Sequence, residues 1–259
     1  MNILIGDIGN TNTKICLVKT SNFKVIKIIN FNSKDIMKEK KILKKLKKII
    51  IKKEVNKIGL FSSVVPNYFF ILKKILNKKF KINLKEIKEK KIDKIVKIKV
   101  KNINQLGSDR IANAVGVYKK YKINCIVVDL GTATTFDVVN KQGVYKGGII
   151  SPGIKLSIKS LSNSADQIPL FSLRKQKKII GKNTIEALQS GFYWGYVGLI
   201  NSIILKIENE TKKKYKVIFT GGYADLFKTS IQRSFAIDTN ITISGIIEIF
   251  KKNKNYLIK

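Results

Sequence analysis

One short pattern occurs twice in this chain, as Asp7-Ile-Gly-Asn-Thr-Asn-Thr13 and as Asp129-Leu-Gly-Thr-Ala-Thr-Thr135. Each copy follows a short apolar run, Ile3-Leu-Ile5 or Ile126-Val-Val128, and precedes another, Ile15-Cys-Leu-Val18 or Phe136-Asp-Val-Val139. Apolar run, Gly-centred polar turn and apolar run read as strand, tight turn, strand. The Gly permits a close turn, and the Asn and Thr side chains with backbone N–H groups offer donors to phosphate oxygens. The Asp at the strand end is placed to reach a metal ion or its water shell. One copy alone is an ordinary β-turn. Two copies with matching flanks predict a duplicated architecture, with two hairpins facing a cleft that holds a nucleoside triphosphate.

The 259 residues suffice for one large or two small domains, and a 44% apolar content marks a globular chain. A net charge of +35 ordinarily points to nucleic acid or an anionic membrane. Here only Arg110, Arg174 and Arg233 among the 52 basic residues are Arg, whereas bidentate base and phosphate contacts favour Arg. Lys is spread along the chain beside abundant Ile and Asn, all with A/T-rich codons, so the charge reads as compositional bias on a solvated surface. Histidine is absent, which excludes Ser-His-Asp hydrolases, His-ligated metals and a His base. Cys16 and Cys125 lie alone in apolar runs and are expected to be buried thiols. No signal-like or membrane-length apolar segment is seen, so a cytoplasmic protein is expected.

Along the chain, residues 1–32 read as a strand meander on the first hairpin. Ser33 is expected to cap a Lys-rich helix with Ile36, Leu43, Leu46 and Ile50 on one face. A strand follows over Lys57–Val65, then a helix from Pro66 to about Leu76. Residues 79–105 are of low complexity and their elements are not placed. Gly107-Ser-Asp-Arg110 opens a helix with Ile111, Ala114, Val115 and Tyr118 on one face. The second half restarts at Ile123, with a long helix from Thr184 to about Glu210, a strand over Lys216–Thr220 and a turn at Gly221-Gly222. The expected halves are 1–118 and 119–259, each α/β with a mixed sheet.

Several ordered motifs together are far more specific than any one. They are Asp7-Ile-Gly-Asn-Thr-Asn-Thr-Lys14, Ser62-Ser-Val-Val-Pro66, Gly107-Ser-Asp-Arg-Ile-Ala-Asn-Ala114, Val128-Asp-Leu-Gly-Thr-Ala-Thr-Thr-Phe-Asp137, Gly147-Gly-Ile-Ile-Ser-Pro-Gly153, Ile180-Gly-Lys-Asn-Thr-Ile-Glu-Ala187, Gln189-Ser-Gly191 and Thr220-Gly-Gly222. In these the chain resembles the type III pantothenate kinases, of the duplicated actin-like ATPase (ribonuclease-H-like) fold shared with sugar kinases. Residues 34–101 match poorly. The resemblance implies ATP-dependent phosphorylation of the primary hydroxyl of pantothenate, the first step towards coenzyme A.

Phosphoryl transfer needs positioning, charge neutralisation and a group to take the hydroxyl proton. Without His, a carboxylate is the natural candidate. Asp109 stands at a predicted helix start, where free N–H groups draw an anionic ligand; capping that helix is its ordinary alternative. By resemblance Asp109 is the base, Gly107, Ser108, Asp109 and Arg110 hold the substrate, and Arg110 faces the pantothenate carboxylate. By resemblance also, Asp7, Ile8, Gly9, Asn10, Thr11, Asn12, Thr13 and Lys14 bind the ATP phosphates, Asp7 serves Mg²⁺ directly or through water, and Thr132 contacts ATP. Asp129 would ligate a monovalent cation, K⁺ or NH₄⁺. Thr184 would contact pantothenate bound to the partner of a homodimer, while Asn183 and Glu186 read as a capping pair.

Gly191, Gly195 and Gly198 on the long helix allow a close neighbour, from a second subunit or from the same one. Gly221-Gly222 suits packing against adenosine or a plain turn. Asp137 has no assignment, and simple exposure to solvent is its ordinary alternative. Two departures stand out: Ser108 where Ala is usual, and Val100 where many members carry a Tyr that assists substrate binding. Another small-molecule kinase of the same fold, or a silent regulatory or nucleic-acid-binding relative, are the competing readings.

Overall fold

The computed structural model describes residues 1–50, 53–89, 94–231 and 233–257. The chain forms two compact units. The first comprises residues up to Lys122, Gln142–Tyr145 and the chain from Asn240 onward; the second comprises Ile123–Lys141 and Lys146–Thr239. A sequence division at 118/119 therefore differs at residues 119–122, at Gln142–Tyr145 and at the C-terminus, where the last helix packs with the first unit.

In the first unit, β1 (Asn2–Ile8), β2 (Asn12–Lys19) and β3 (Val25–Asn32) form the expected antiparallel meander. β4 (Val55–Ser63) pairs parallel with β1, and β5 (Asn83–Glu86) parallel with β4, giving the order β3-β2-β1-β4-β5. A short β6 (Lys97–Ile98) pairs parallel with Val144 and Tyr145. The expected Lys-rich helix is α1 (Glu39–Ile50). Ser33 does not cap it. Asn32 caps a separate 3₁₀ turn over Ser33–Met37, accepting from the Lys34 N–H.

Pro66 opens α2 (Pro66–Phe80) at a position whose N–H would be unsatisfied anyway. Leu4, Ile15, Leu17 and Phe61 from the sheet bury against Ile42 and Leu46 of α1 and Leu72 and Leu76 of α2. On α3 (Ser108–Tyr121), Ile111, Ala114 and Val115 are buried as expected and Tyr118 is half-buried. The C-terminal α6 (Ile241–Leu257) crosses α3 closely; a Cβ at Gly245 would stand 1.8 Å from the Ala112 carbonyl oxygen.

The second unit repeats the topology. β7 (Cys125–Leu130) and β8 (Ala133–Val139) are antiparallel, β9 (Val144–Pro152) follows, and β10 (Lys216–Thr220) and β11 (Phe235–Ile237) add in parallel, in a six-stranded order β6-β9-β8-β7-β10-β11. Apart from the edge strand β6, this is the first unit's order, with the same strand senses for every pair whose direction is defined. Ile126, Val128, Phe136 and Val138 bury against Ile154 and Ile158 of α4 (Ile154–Ser164) and Tyr193, Val197, Ile200 and Ile204 of α5 (Thr184–Thr211). Asn183 caps α5, accepting from the Glu186 N–H at 2.9 Å, while the Glu186 carboxylate accepts from the Lys182 N–H at 2.9 Å. Both cysteines are buried free thiols, and burial pushes each up to about 12. Among the described residues no helix is long and apolar enough to cross a membrane.

Candidate active site

Asp7 sits near the C-terminal end of β1, in register with Lys14 of β2 and Ser62 of β4. The turn after it closes with the Gly9 N–H donating to the Asn12 carbonyl at 3.0 Å. Asn10 and Asn12 are exposed, as phosphate donors must be, but Thr13 is fully buried. Its hydroxyl is 2.8 Å from Ser33 Oγ, which itself donates to the Gly9 carbonyl at 2.7 Å. The Ser33 N–H also donates to the Thr11 carbonyl at 2.8 Å. Thr13 and Ser33 therefore brace the turn from within. Sequence reading took Ser33 for a helix cap and missed this; a Ser at the end of a strand paired with the hairpin was the available signal. Lys14 Nζ donates to Asn240 Oδ1 at 3.0 Å. Ser62 Oγ is buried beside Asp7 on the same sheet face, without a hydrogen-bond partner among the described residues.

Asp109 lies in the first turn of α3, after Gly107 at the N-cap. Its Oδ1 accepts the Arg110 N–H at 2.8 Å and folds back over Gly107, where an added Cβ would stand 2.4 Å away. Burial pushes the Asp109 carboxyl above the usual carboxylate range; the Arg110 N–H, the Arg110 charge, its own N–H and Lys88 offset this only in part. Ser108 is buried and donates to the Ser63 carbonyl at 3.3 Å. The next amide of β4's exit, Val64 N–H, donates to the Ile8 carbonyl at 3.1 Å. The end of β4 thus holds the first hairpin and the start of α3 at one end of the sheet.

Glu86, at the end of β5, is a second carboxyl that burial pushes up, offset by the Ser108 hydroxyl, the Lys88 and Ser63 N–H groups and the Lys88 charge. It lies in the stretch that sequence reading left unplaced, where it is one of three acids among many Lys.

In the second unit Asp129 holds the matching position on β7, in register with Thr135 of β8 and Thr220 of β10. Glycine backbone encloses it. Gly221 has φ +88°, and a Cβ there would stand 2.6 Å from Asp129 Oδ1 and from the Leu130 carbonyl carbon. A Cβ at Gly153 would stand 2.1 Å from the Thr132 carbonyl oxygen. Thr132 is exposed at the tip. Asp137 corrects the sequence expectation: it is fully buried on β8 and does not face solvent.

Thr184 is exposed at the start of α5 and lines an open groove of about 920 Å³ with Lys182, Gly191, Gly195, Tyr196 and Leu199. A Cβ at Gly191, Gly195 or Gly198 would meet nothing within 4 Å, so these glycines do not serve packing by the described residues of this chain. The candidate residues thus fall into two sets. Asp7 to Lys14 and Gly107 to Arg110 share the first unit; Asp129, Thr132 and Thr184 share the second.

Comparison with solved structures finds the same fold. A Campylobacter jejuni protein described as a Baf-family transcriptional activator matches with a TM-score of 0.62 at 22% identity, covering 98% of this chain and 100% of that one. The activator of 2-hydroxyisocaproyl-CoA dehydratase from Clostridium difficile, solved with bound ADPNP, matches at 0.53 and 10% identity, covering 99% and 97%. The fold is the duplicated actin-like ATPase fold. A type III pantothenate kinase of Pelagibacter ubique is 46% identical over 246 residues, covering 95% of this chain and 97% of its own. The family model for type III pantothenate kinase matches residues 3–206. On that match and that identity, carried by a fold in which both hairpin motifs stand at equivalent strand ends, this chain belongs to the type III pantothenate kinase family.

Proposed function

We infer that this chain transfers the γ-phosphoryl group of ATP to the primary hydroxyl of pantothenate, giving 4′-phosphopantothenate on the route to coenzyme A. The observation that carries the site assignment is Asp109, a carboxyl raised by burial at the start of a helix, beside Arg110 and at the same sheet end as the first hairpin. A raised carboxyl is a stronger base than an ordinary aspartate. Asp109 accepts the hydroxyl proton as that oxygen bonds to the γ-phosphorus. The bond to the β–γ bridging oxygen breaks and ADP leaves. The transition state is loose, so Arg110, which pairs with the pantothenate carboxylate, and Gly107, which lets the Asp109 carboxylate fold back, act chiefly by orientation.

The residues present fit the implied ions. Asp7 and the buried Ser62 hydroxyl, without a hydrogen-bond partner among the described residues, offer hard oxygen ligands suited to Mg²⁺ or its waters. The carboxylate of Asp129, with backbone of Gly131 and Gly221 drawn close to it, suits a larger monovalent cation, K⁺ or NH₄⁺. When bound, these ions neutralise charge on the triphosphate. Asn10 and Asn12 in the first unit, and Thr132 in the second, are exposed donors of the kind that orient phosphate oxygens. The groove beside Thr184 suits a second copy of the chain, its glycines open and Ile150, Leu156 and Ile180 exposed nearby in the sequence. In that homodimer Thr184 contacts pantothenate held by the partner. The cytoplasm is the proposed place of this reaction. A panel of alcohols offered with ATP tests this reading. Only pantothenate should yield a phosphorylated product by mass spectrometry, and preference for a sugar would overturn it.

A further inference from the structure

Tyr196 lies on α5 in the floor of the groove, 8% exposed, and no step above uses it. Its hydroxyl donates to the Pro152 carbonyl at 3.0 Å. A phenol has one proton, so Ser157 Oγ, 3.1 Å away, must donate in the second bond. The Ser157 N–H donates in turn to the Gly153 carbonyl at 2.9 Å. Two successive carbonyls at the junction of β9 and α4 are therefore fixed, one by Tyr196 and one by Ser157. That junction bears on the second hairpin, since a Cβ at Gly153 would stand 2.1 Å from the Thr132 oxygen and 2.7 Å from the Gly131 oxygen. Burial pushes the Tyr196 hydroxyl up, partly offset by Ser157, so it stays protonated and donating at working pH.

A buried tyrosine commonly finds some acceptor. What sets this one apart is the acceptor's place, one residue before the glycine that touches the hairpin backbone. We propose that Tyr196 is a positioning residue for the nucleotide-binding hairpin, holding Pro152-Gly153 against Gly131-Thr132 so that Thr132 is presented to ATP. This rests on the reading of that hairpin as an ATP site. Tyr196 touches no substrate by this account; it acts through Gly153.

Tyr196→Phe tests it at two levels. Without any ligand, amide hydrogen exchange over residues 129–135 should quicken by about three- to tenfold, the span expected from one lost hydrogen bond, while residues 216–220 stay unchanged. In turnover, KM for ATP should rise by about the same factor, with KM for pantothenate within about twofold of wild type. Ser157→Ala, which leaves the Tyr196–Pro152 bond, should raise KM for ATP by less than about twofold. Unchanged exchange over 129–135, or equal changes in both KM values, would overturn the proposal. A rise in pantothenate KM alone would overturn it too, assigning Tyr196 to the groove's occupant. If Tyr196→Phe does not fold, Gly153→Ala probes the same contact from its other end, and an unaltered ATP KM there refutes the positioning role. A wild-type protein inactive on pantothenate would sink the functional reading instead, and the exchange result would still judge the coupling.

Discussion

Asp7 and Asp129 hold the same place in two copies of one topology, yet their surroundings differ in kind. Four residues separate the last pair of the first hairpin, Ile8 and Thr13, and three separate that of the second, Leu130 and Thr134. The first turn is braced by side chains, Thr13 and Ser33, and leaves a buried hydroxyl at Ser62 beside its aspartate. The second is braced by backbone, with Gly153 on Thr132 and Gly221 against Asp129. Duplication supplied one strand–turn–strand frame, and the neighbouring elements decide what each copy does. Side-chain oxygens suit a small hard cation that keeps its waters, and a backbone-lined carboxylate suits a larger monovalent one. The units differ again beyond the hairpins, since the first carries the raised Asp109 carboxyl and the second carries the open groove.

The largest expected effect lies in the first unit. Asp109→Asn should keep the fold and ATP binding but lower kcat by ~10²–10⁴, as for loss of a general base. Steady-state kinetics checks this, and retention of more than about a third of kcat would return Asp109 to a capping role. Asp129→Ala should cost ~10²–10³ in kcat, comparable to removing one preorganised electrostatic partner, and abolish dependence on monovalent cations. Wild-type rates equal in Na⁺ and K⁺ would erase the contrast between the two aspartates.

A smaller signal tests the groove. If the proposed homodimer shares its sites across the interface, Asp109→Asn and Thr184→Arg each damage both sites of their own dimer. Mixed under subunit exchange, they should recover up to about a quarter of wild-type activity, since half the dimers then carry one intact site. With folding and exchange verified, no recovery would mean that Thr184 serves its own subunit or none.

The smallest effect is on stability. The Asp109 carboxyl is raised in the fold, so between its unfolded and folded values the native state binds more protons than the unfolded chain. Stability therefore falls as pH rises through that window. Asp109→Asn lacks this penalty and should melt at a higher temperature than wild type at pH 7. The gap should close below about pH 3.9, where the carboxyl is protonated in both states. A lower Tm at neutral pH would contradict the burial account.

Much of this architecture could be read from local chemistry. The hairpins, the Pro66 start of α2, the Asn183 cap of α5 and the Lys216–Thr220 strand all carry their signals within a few residues. What was not legible depends on partners distant in sequence. Ser33 looked like a cap because its bonds to Gly9 and Thr13 cross from β3's end to the first turn. Asp137 looked exposed because alternation cannot report a sheet covered on both faces. Glu86 sat in a Lys-rich stretch without periodicity, and α6 joins the first unit through close crossing at Gly116 and Gly245. Among the candidate site residues, the residue types at Asp7, Asp109 and Asp129 were visible, but the raised carboxyl and the glycine enclosure required the fold.

The most direct measurement is ADP release by the purified protein with ATP, Mg²⁺ and K⁺, with and without pantothenate. Release that depends on pantothenate, and stops in Asp109→Asn, is the predicted result. Release at the same rate without pantothenate, or only with a different alcohol, would contradict it.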